Sequence, residues 1–173
     1  APDRFVWLRG FTDMDSRREG LTAFYGGPVW KTHGGAANRT MIDSGNVHLL
    51  RVARDDAAFR ISAERPAAGS VGTTGGIVSA TIVYLHTAGA GTAAVEVFES
   101  TIAPAIADTG GSLLGYFLTE TSKNDFPGLP VREEPVLVWF AGVGDEPDSG
   151  DDARAASAFG SAQLSREIEH LRL

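Results

Sequence analysis

An eight-residue pattern occurs twice in this chain and constrains what it can fold into. Residues 6–13 read Val-Trp-Leu-Arg-Gly-Phe-Thr-Asp and residues 138–145 read Val-Trp-Phe-Ala-Gly-Val-Gly-Asp, so both copies fit V-W-x-x-G-x-x-D. Each copy is followed by an Ala-Phe pair and then by a short apolar segment containing Leu-Arg, at residues 50–51 and 171–172. An internal repeat is stronger evidence about the overall fold than the secondary-structure propensity of any single segment. The pattern therefore predicts two copies of one β-α-β unit.

The second half of the chain contains six predicted elements in the order β-α-β-β-α-β. They cover residues 77–86, 92–108, 112–121, 135–143, 151–159 and 167–173. Pro104 lies inside the first of these helices and predicts a kink or a second helical segment. Trp139 is predicted to lie on a central strand. This order of elements is that of a ferredoxin-like unit.

The first half supplies only part of such a unit. Its predicted elements are a strand over residues 5–11, helices over 15–25 and 29–41, and a strand over 47–53, with Asp13 or Asp15 as the cap of the first helix. A sheet of two strands is marginal alone in water. We therefore expect an N-terminal fragment, a second chain or a different packing to complete this half.

These patterns together predict the fold class and its division. The expected fold is α+β, with tandem ferredoxin-like units that form a dimeric α+β barrel and a first unit that is incomplete at its N-terminus. Residues 1–53 would be the C-terminal part of the first unit, 54–75 a linker rich in Gly, Ser, Thr and Ala, and 76–173 the complete second unit. Exposed apolar strand faces and an open edge predict a homo-oligomer.

Composition excludes several classes of function. The net charge of −7, without a Lys/Arg cluster, argues against nucleic acid or an anionic membrane as the partner. The chain has no cysteine, so disulfides and thiolate metal sites are excluded. No apolar run approaches the roughly 20 residues that span a bilayer. We expect a cytoplasmic protein without a membrane partner.

Several blocks of the sequence resemble the NIPSNAP family of the dimeric α+β barrel superfamily. They are Phe-Val-Trp-Leu-Arg-Gly-Phe at 5–11, Phe-Tyr-Gly-Gly-Pro-Val-Trp-Lys at 24–31, Asp-Ser-Gly-Asn-Val-His-Leu-Leu at 43–50, and the loop at 119–132. The resemblance implies the barrel fold. It also implies a range of activities, because the superfamily includes cofactor-free monooxygenases, haem proteins, and lactone-forming or cyclising enzymes.

A histidine and an arginine in the first half are the candidate catalytic residues. His33 follows Trp30 by three positions, which places both on one helix face, and Tyr25 lies nearby across a Gly-Gly-Pro break. These aromatic residues could bind a flat substrate beside His33 as a general base. Arg9 could bind a carboxylate or enolate oxygen. The alternatives are a histidine at a helix packing surface and an arginine paired with a surface acid such as Asp13 or Asp15.

The loop Asn124-Asp125-Phe126-Pro127 is a candidate lid, with Asn124 and Phe126 as substrate-binding residues. Alternatively, Phe126 simply plugs one end of the barrel. The remaining histidines are His48, His86 and His170. The simpler interpretation is that each has a structural role as a hydrogen-bonded side chain, and the alternative is that one of them ligates haem.

An acidic run at residues 145–152 lacks the calcium-loop spacing and is interpreted as solvated. No metal or cofactor is expected. The sequence therefore favours a small-molecule-binding α+β barrel protein, and the first hypothesis is a cofactor-free enzyme that acts on an aromatic or polyketide-like organic substrate. A non-catalytic binding or assembly protein and a haem-binding barrel are the alternatives. Whether the protein is an enzyme stays open.

Overall fold

The computed structural model describes residues 6–41, 43, 45–60, 67, 69–70, 77–143 and 151–173. The chain divides into two compact units. The sheet unit has its described residues within Leu50–Thr119 and Glu134–Leu173. The helical unit comprises Arg4–Leu49 and Glu120–Glu133. The boundaries of these compact units differ from the predicted domain boundaries at residues 53 and 76. The predicted division into 1–53, 54–75 and 76–173 stays a prediction.

The sheet unit is built on one five-stranded antiparallel sheet. Its strands are β1 (Leu50–Val52), β2 (Ile77–Leu85), β3 (Ser112–Thr119), β4 (Val136–Val143) and β5 (Ser165–Arg172). They lie in the order β1-β3-β4-β2-β5, and each neighbouring pair is antiparallel. Trp139 lies on β4, the middle strand, as predicted. The fold is therefore α+β, as the sequence predicted.

Two helical connections complete this unit. The first follows β2 and consists of a 3-10 turn (Ala88–Ala90), α3 (Gly91–Val97), a π-helical turn (Phe98–Ile102) and α4 (Ala103–Asp108). The second is α5 (Asp151–Ser161), between β4 and β5. The predicted β-α-β-β-α-β order of the second half is thus present within a single sheet.

The π-helical turn has a local cause in Pro104. A proline within a helix lacks an N–H, and its ring clashes with the carbonyl four residues earlier. One extra residue in the turn relieves both effects, and the Ala103 N–H accordingly donates to the Phe98 carbonyl, five residues back. The prediction that Pro104 marks a second helical segment is confirmed.

The core on the helix-covered face of the sheet centres on three aromatic side chains. Phe98 has its ring centroid 5.0 Å from that of Trp139, and Phe159 lies 6.2 Å from Trp139 in a stacked arrangement. Phe98 and Phe159 are fully buried. Aromatic pairs in this distance range add to the free energy gained by burying their area.

The opposite face of the sheet is also buried. Val136, Val138 and Phe140 of β4 are each less than 5 % exposed. Phe59 covers part of this face, with its ring centroid 5.2 Å from Phe140 and 5.1 Å from Phe117. The uncovered apolar face expected from the sequence is therefore not found on β4, and the argument for an oligomer loses this basis. The oligomeric state stays a prediction.

The helical unit contains α1 (Met14–Gly26) and α2 (Pro28–Asn38). Asp13 caps α1, as predicted, since its carboxylate accepts from the Ser16 N–H at 2.7 Å and Ser16 Oγ accepts from the Asp13 N–H at 3.1 Å. The strand predicted over residues 5–11 is wrong where it can be tested, because residues 6–11 form no regular secondary structure. The Phe11 side chain lies against α1 instead, as described below.

Residues 47–53 also differ from the prediction. Only Leu50–Val52 forms a strand, and it joins the edge of the sheet beside β3. His48 forms an isolated parallel bridge with Arg132 in the helical unit. The first half therefore does not form its own two-stranded sheet among the residues that the structure describes. In the same residues, no helix is both long and apolar enough to cross a membrane.

Candidate functional site

A groove in the helical unit combines aromatic walls with one cation. It has a volume of about 280 Å³. Its lining residues are Trp7, Arg9, Gly10, Phe11, Gly20, Leu21 and Phe24. Ligand pockets are typically apolar clefts with a few placed polar groups, with volumes of about 300–1,000 Å³. The volume of this groove falls just below that range, and its described lining has the same mainly apolar composition.

Arg9 is the only charged residue among the described residues that line the groove. Its guanidinium carbon lies 4.2 Å from the centroid of the Trp7 ring and 5.2 Å from that of Phe24, both within cation–π distance. One Arg9 nitrogen donates to the Tyr25 hydroxyl at 3.2 Å. Arg9 is half-buried. The groove thus holds a positive charge against aromatic faces.

The predicted alternative partners of Arg9 are engaged elsewhere. Asp13 caps α1, and hydrogen bonds from the Ser16 backbone and side chain hold its pKa below the usual value. Asp15 pairs with Arg18 at 2.8 Å. In the part of the chain that the structure describes, no carboxylate lies at ion-pairing distance from Arg9.

A glycine in α1 makes room for one wall of the groove. A Cβ on Gly20 would lie 3.1 Å from Cε1 of Phe11, closer than ordinary van der Waals contact. The Phe11 ring therefore lies directly against the helix backbone. Phe24 lies four positions after Gly20 and three after Leu21, so α1 presents both residues on the same side as Phe24.

Tyr25 belongs to an aromatic cluster outside the groove lining. Its ring is edge-on to Trp30, with centroids 4.8 Å apart, and stacked on Phe126 at 5.7 Å with an interplanar angle of 22°. Phe24 contacts both Tyr25 and Trp30, at 5.0 and 5.2 Å. The cluster connects α1, α2 and the loop 120–133.

The loop 120–133 is held by a buried arginine. Arg17 of α1 is 4 % exposed, and its Nη1 donates to Asp125 Oδ1 at 2.5 Å and to Asn124 Oδ1 at 3.2 Å. Asn124 also accepts from the Phe126 N–H at 3.1 Å and donates to the Leu129 carbonyl at 2.9 Å. Asn124 therefore shapes the loop and fixes where Phe126 points.

The predicted site residues separate into two groups. Arg9 lines the groove. Tyr25, Trp30 and Phe126 form the cluster on one side of Arg9, and Asn124 supports the loop. Direct contact of these four residues with a ligand stays a prediction. Sequence reasoning missed Trp7, Phe11 and Phe24 as lining residues, although the alternation Trp-x-Arg-x-Phe at 7–11 was a usable signal.

The structure does not bring the histidines into the groove. His33 is exposed on α2 and is absent from the lining. His86 is also exposed, and the Nδ1 atom of His170 lies 2.9 Å from Thr81 Oγ1 in the sheet unit. His48 is half-buried. The catalytic role of His33 stays a prediction that this geometry does not favour.

A second polar cluster lies in the sheet unit, on the π-helical turn. Glu99 accepts from Arg54 Nε at 3.0 Å and from the Tyr116 hydroxyl at 2.8 Å. These hydrogen bonds, first that of Arg54 and then that of Tyr116, hold the pKa of Glu99 below its usual value. Partial burial and the adjacent Glu99 raise the pKa of Tyr116 to about 12. Because both Glu99 oxygens have donors, we interpret the cluster as an anchor for the segment that follows β1.

This anchor predicts a change of stability in alkali. The pKa of Tyr116 is raised from 10.0 to about 12 on folding, so its contribution to stability is complete below pH 10.0 and is lost as the pH rises towards about 12. We expect Tyr116→Phe to reduce the alkaline loss of stability, measured by urea unfolding across this pH range. Tyr84→Phe, a second buried tyrosine of the same unit, is the control and should retain the Tyr116 contribution. An unchanged pH dependence in Tyr116→Phe would contradict the assignment.

Metal binding has no support among the described residues, where no group of three or more His, Asp and Glu side chains could hold an ion. The acidic run that begins at Asp145 lies largely outside the described residues, so its interpretation as a solvated segment is untested.

No family model matches the chain, and no curated protein matches it significantly.

Proposed function

We propose that the helical unit binds a small, planar organic anion in the groove beside Arg9. The observation that carries this proposal is a half-buried guanidinium between aromatic rings with no carboxylate partner among the described residues. A cation removed from water needs a compensating partner. A carboxylate or enolate oxygen supplies one, and an aromatic ring would stack against Trp7 or Phe24.

Binding is a better-supported function than catalysis. Among the described residues that line the groove, none carries a histidine, carboxylate or hydroxyl side chain that could act as a general base or nucleophile. Arg9 could still stabilise an enolate oxygen, as an electrostatic contribution to a reaction in which the ligand supplies its own base. The strand order of residues 77–173 supports the further proposal that this half is a ferredoxin-like unit of the NIPSNAP type.

The test compares charged and neutral ligands of one shape. We expect 2-naphthoate to bind the wild-type protein more tightly than the neutral 2-naphthamide, measured by titration calorimetry and by the NMR shift of the Trp7 indole N–H. Arg9→Gln should weaken 2-naphthoate binding by about tenfold or more, because a hydrogen bond to a charged group contributes about 1.5–3 kcal/mol. It should change 2-naphthamide binding by less than about twofold.

Arg39→Gln is the matched control, since Arg39 is an exposed arginine at the end of α2 outside the groove. Equal affinity of wild type and Arg9→Gln for 2-naphthoate would contradict the proposal.

A second candidate function of the helical unit is self-assembly, because the apolar side chains of Leu8 and Val29 are 55 % and 70 % exposed. Sedimentation that showed concentration-dependent self-association lost in Leu8→Ser would favour assembly instead.

A further inference from the structure

Tyr25 connects the groove to residues that do not line it. Its hydroxyl accepts from Arg9 at 3.2 Å, and its ring is held between Phe126 and Trp30. We propose that Phe126 and Trp30 are positioning residues for Arg9 that act through Tyr25. This inference rests on the proposed anion site and concerns what sets its affinity.

The hydroxyl of Tyr25 is the only hydrogen-bond acceptor that Arg9 has among the described residues. A long arginine side chain loses considerable rotamer freedom when it binds a ligand, and fixing it beforehand reduces that loss. A tyrosine has only two side-chain torsions, and ring contacts on two sides fix both. A fixed Tyr25 therefore fixes the guanidinium over the Trp7 ring.

The position of Phe126 depends on the loop and not on α1 alone. Asn124 accepts from the Phe126 N–H, and the Arg17 guanidinium binds both Asn124 and Asp125. The ring of Phe126 lies nearly parallel to that of Tyr25. A change in the position of the loop therefore reaches Arg9 through the side chains of Phe126 and Tyr25. This route needs no contact between the loop and the ligand.

The position of Trp30 depends on a glycine one turn later in α2. A Cβ on Gly34 would lie 2.6 Å from Cε2 of Trp30, a distance that real Cβ atoms do not adopt. Gly34 is buried beneath the indole. The neighbouring Gly35 would meet only the Arg39 side chain, at 3.8 Å. Substitution of Gly34 would therefore displace the Trp30 indole, whereas substitution of the adjacent Gly35 would not, and the two positions can be compared directly.

The test uses the same two ligands with Phe126→Leu. We expect the affinity for 2-naphthoate to fall by about threefold to tenfold, the range for immobilising one flexible side chain, with 2-naphthamide affected by less than about twofold. The order parameter of the Arg9 Nε–H group, measured by NMR relaxation, should fall in parallel. Ser122→Ala, at an exposed position in the same loop outside the aromatic cluster, is the control and should leave both ligands unaffected.

Gly34→Ala provides a second, independent change. It should weaken 2-naphthoate binding as Phe126→Leu does, whereas Gly35→Ala should not. If Arg9→Gln weakens binding while Phe126→Leu and Gly34→Ala leave it unchanged, the positioning role is wrong and the anion site stands. If Phe126→Leu weakens both ligands equally, its effect is on groove shape and the positioning role is likewise wrong. If Arg9→Gln itself has no effect, the anion site fails first.

Discussion

Arg17→Met is expected to destabilise the helical unit by about 3 kcal/mol or more, within the range of about 3–5 kcal/mol for removing one partner of a buried ion pair. Arg17 is 4 % exposed and the Asp125 side chain 19 % exposed. The second Asp125 oxygen is buried and accepts no hydrogen bond, and the Arg18 guanidinium lies 4.0 Å from it. Without Arg17, the Asp125 carboxylate would remain buried with no close donor.

The measurement is the free energy of unfolding by urea, with hydrogen exchange to locate the loss in α1 and the loop 120–133. Arg18→Met is the matched control on the same helix. Arg18 is about half exposed and pairs with Asp15 over one turn, so its removal should cost about 0–1 kcal/mol. The double variant Arg17→Met/Asp125→Leu should recover much of the loss, because an apolar pair can replace a buried ion pair. Equal effects of Arg17→Met and Arg18→Met would contradict the assignment.

Phe98→Ala is expected to cost about 3–5 kcal/mol in the sheet unit, the usual range for a buried phenylalanine. Phe98 is fully buried and contacts both Trp139 and Tyr116, with ring centroids 5.0 and 4.9 Å away. It also begins the π-helical turn, where the rigid Pro104 segment limits how far the helix can move into the cavity. The free energy of unfolding and the fluorescence of Trp139 report the effect.

The control for Phe98→Ala is Glu96→Ala, an exposed position two residues earlier on the same helix, which should change stability by less than about 0.5 kcal/mol. A loss below about 1 kcal/mol in Phe98→Ala would show that the helix closes the cavity, contrary to the constraint that we assign to Pro104.

The two halves of the chain differ in how much their sequence predicted. In the second half, the β-branched run 77–85 and the spacing of the later strands gave the element order, and Pro104 gave the break in the helix. These signals are local, because strand and helix propensity act within a few residues. In the first half, the run 6–11 has the composition of a strand but forms none. The Phe11 ring instead lies against Gly20 of α1, a tertiary contact that local propensity does not report.

The candidate site was predicted only in part for the same reason. Arg9 was identified because an arginine in an apolar segment needs a partner. That this partner is Tyr25, and that the surrounding rings are Trp7 and Phe24, depends on how residues 6–11 lie on α1. The spacing of His33 and Trp30 predicted a shared helix face, but the structure leaves His33 exposed and places the Trp30 ring over Gly34.

The sequence by itself determined the element order of residues 77–173, the capping of α1 by an aspartate and the exclusion of thiolate chemistry, since each follows from residue identity or short spacing. The tertiary structure decided which distant segments meet. Arg17 binds Asp125, 108 positions away, and this contact carries Phe126 to Tyr25 and so to Arg9. Such contacts depend on the summed burial and ion pairing of the folded chain, for which a single sequence contains no local signal.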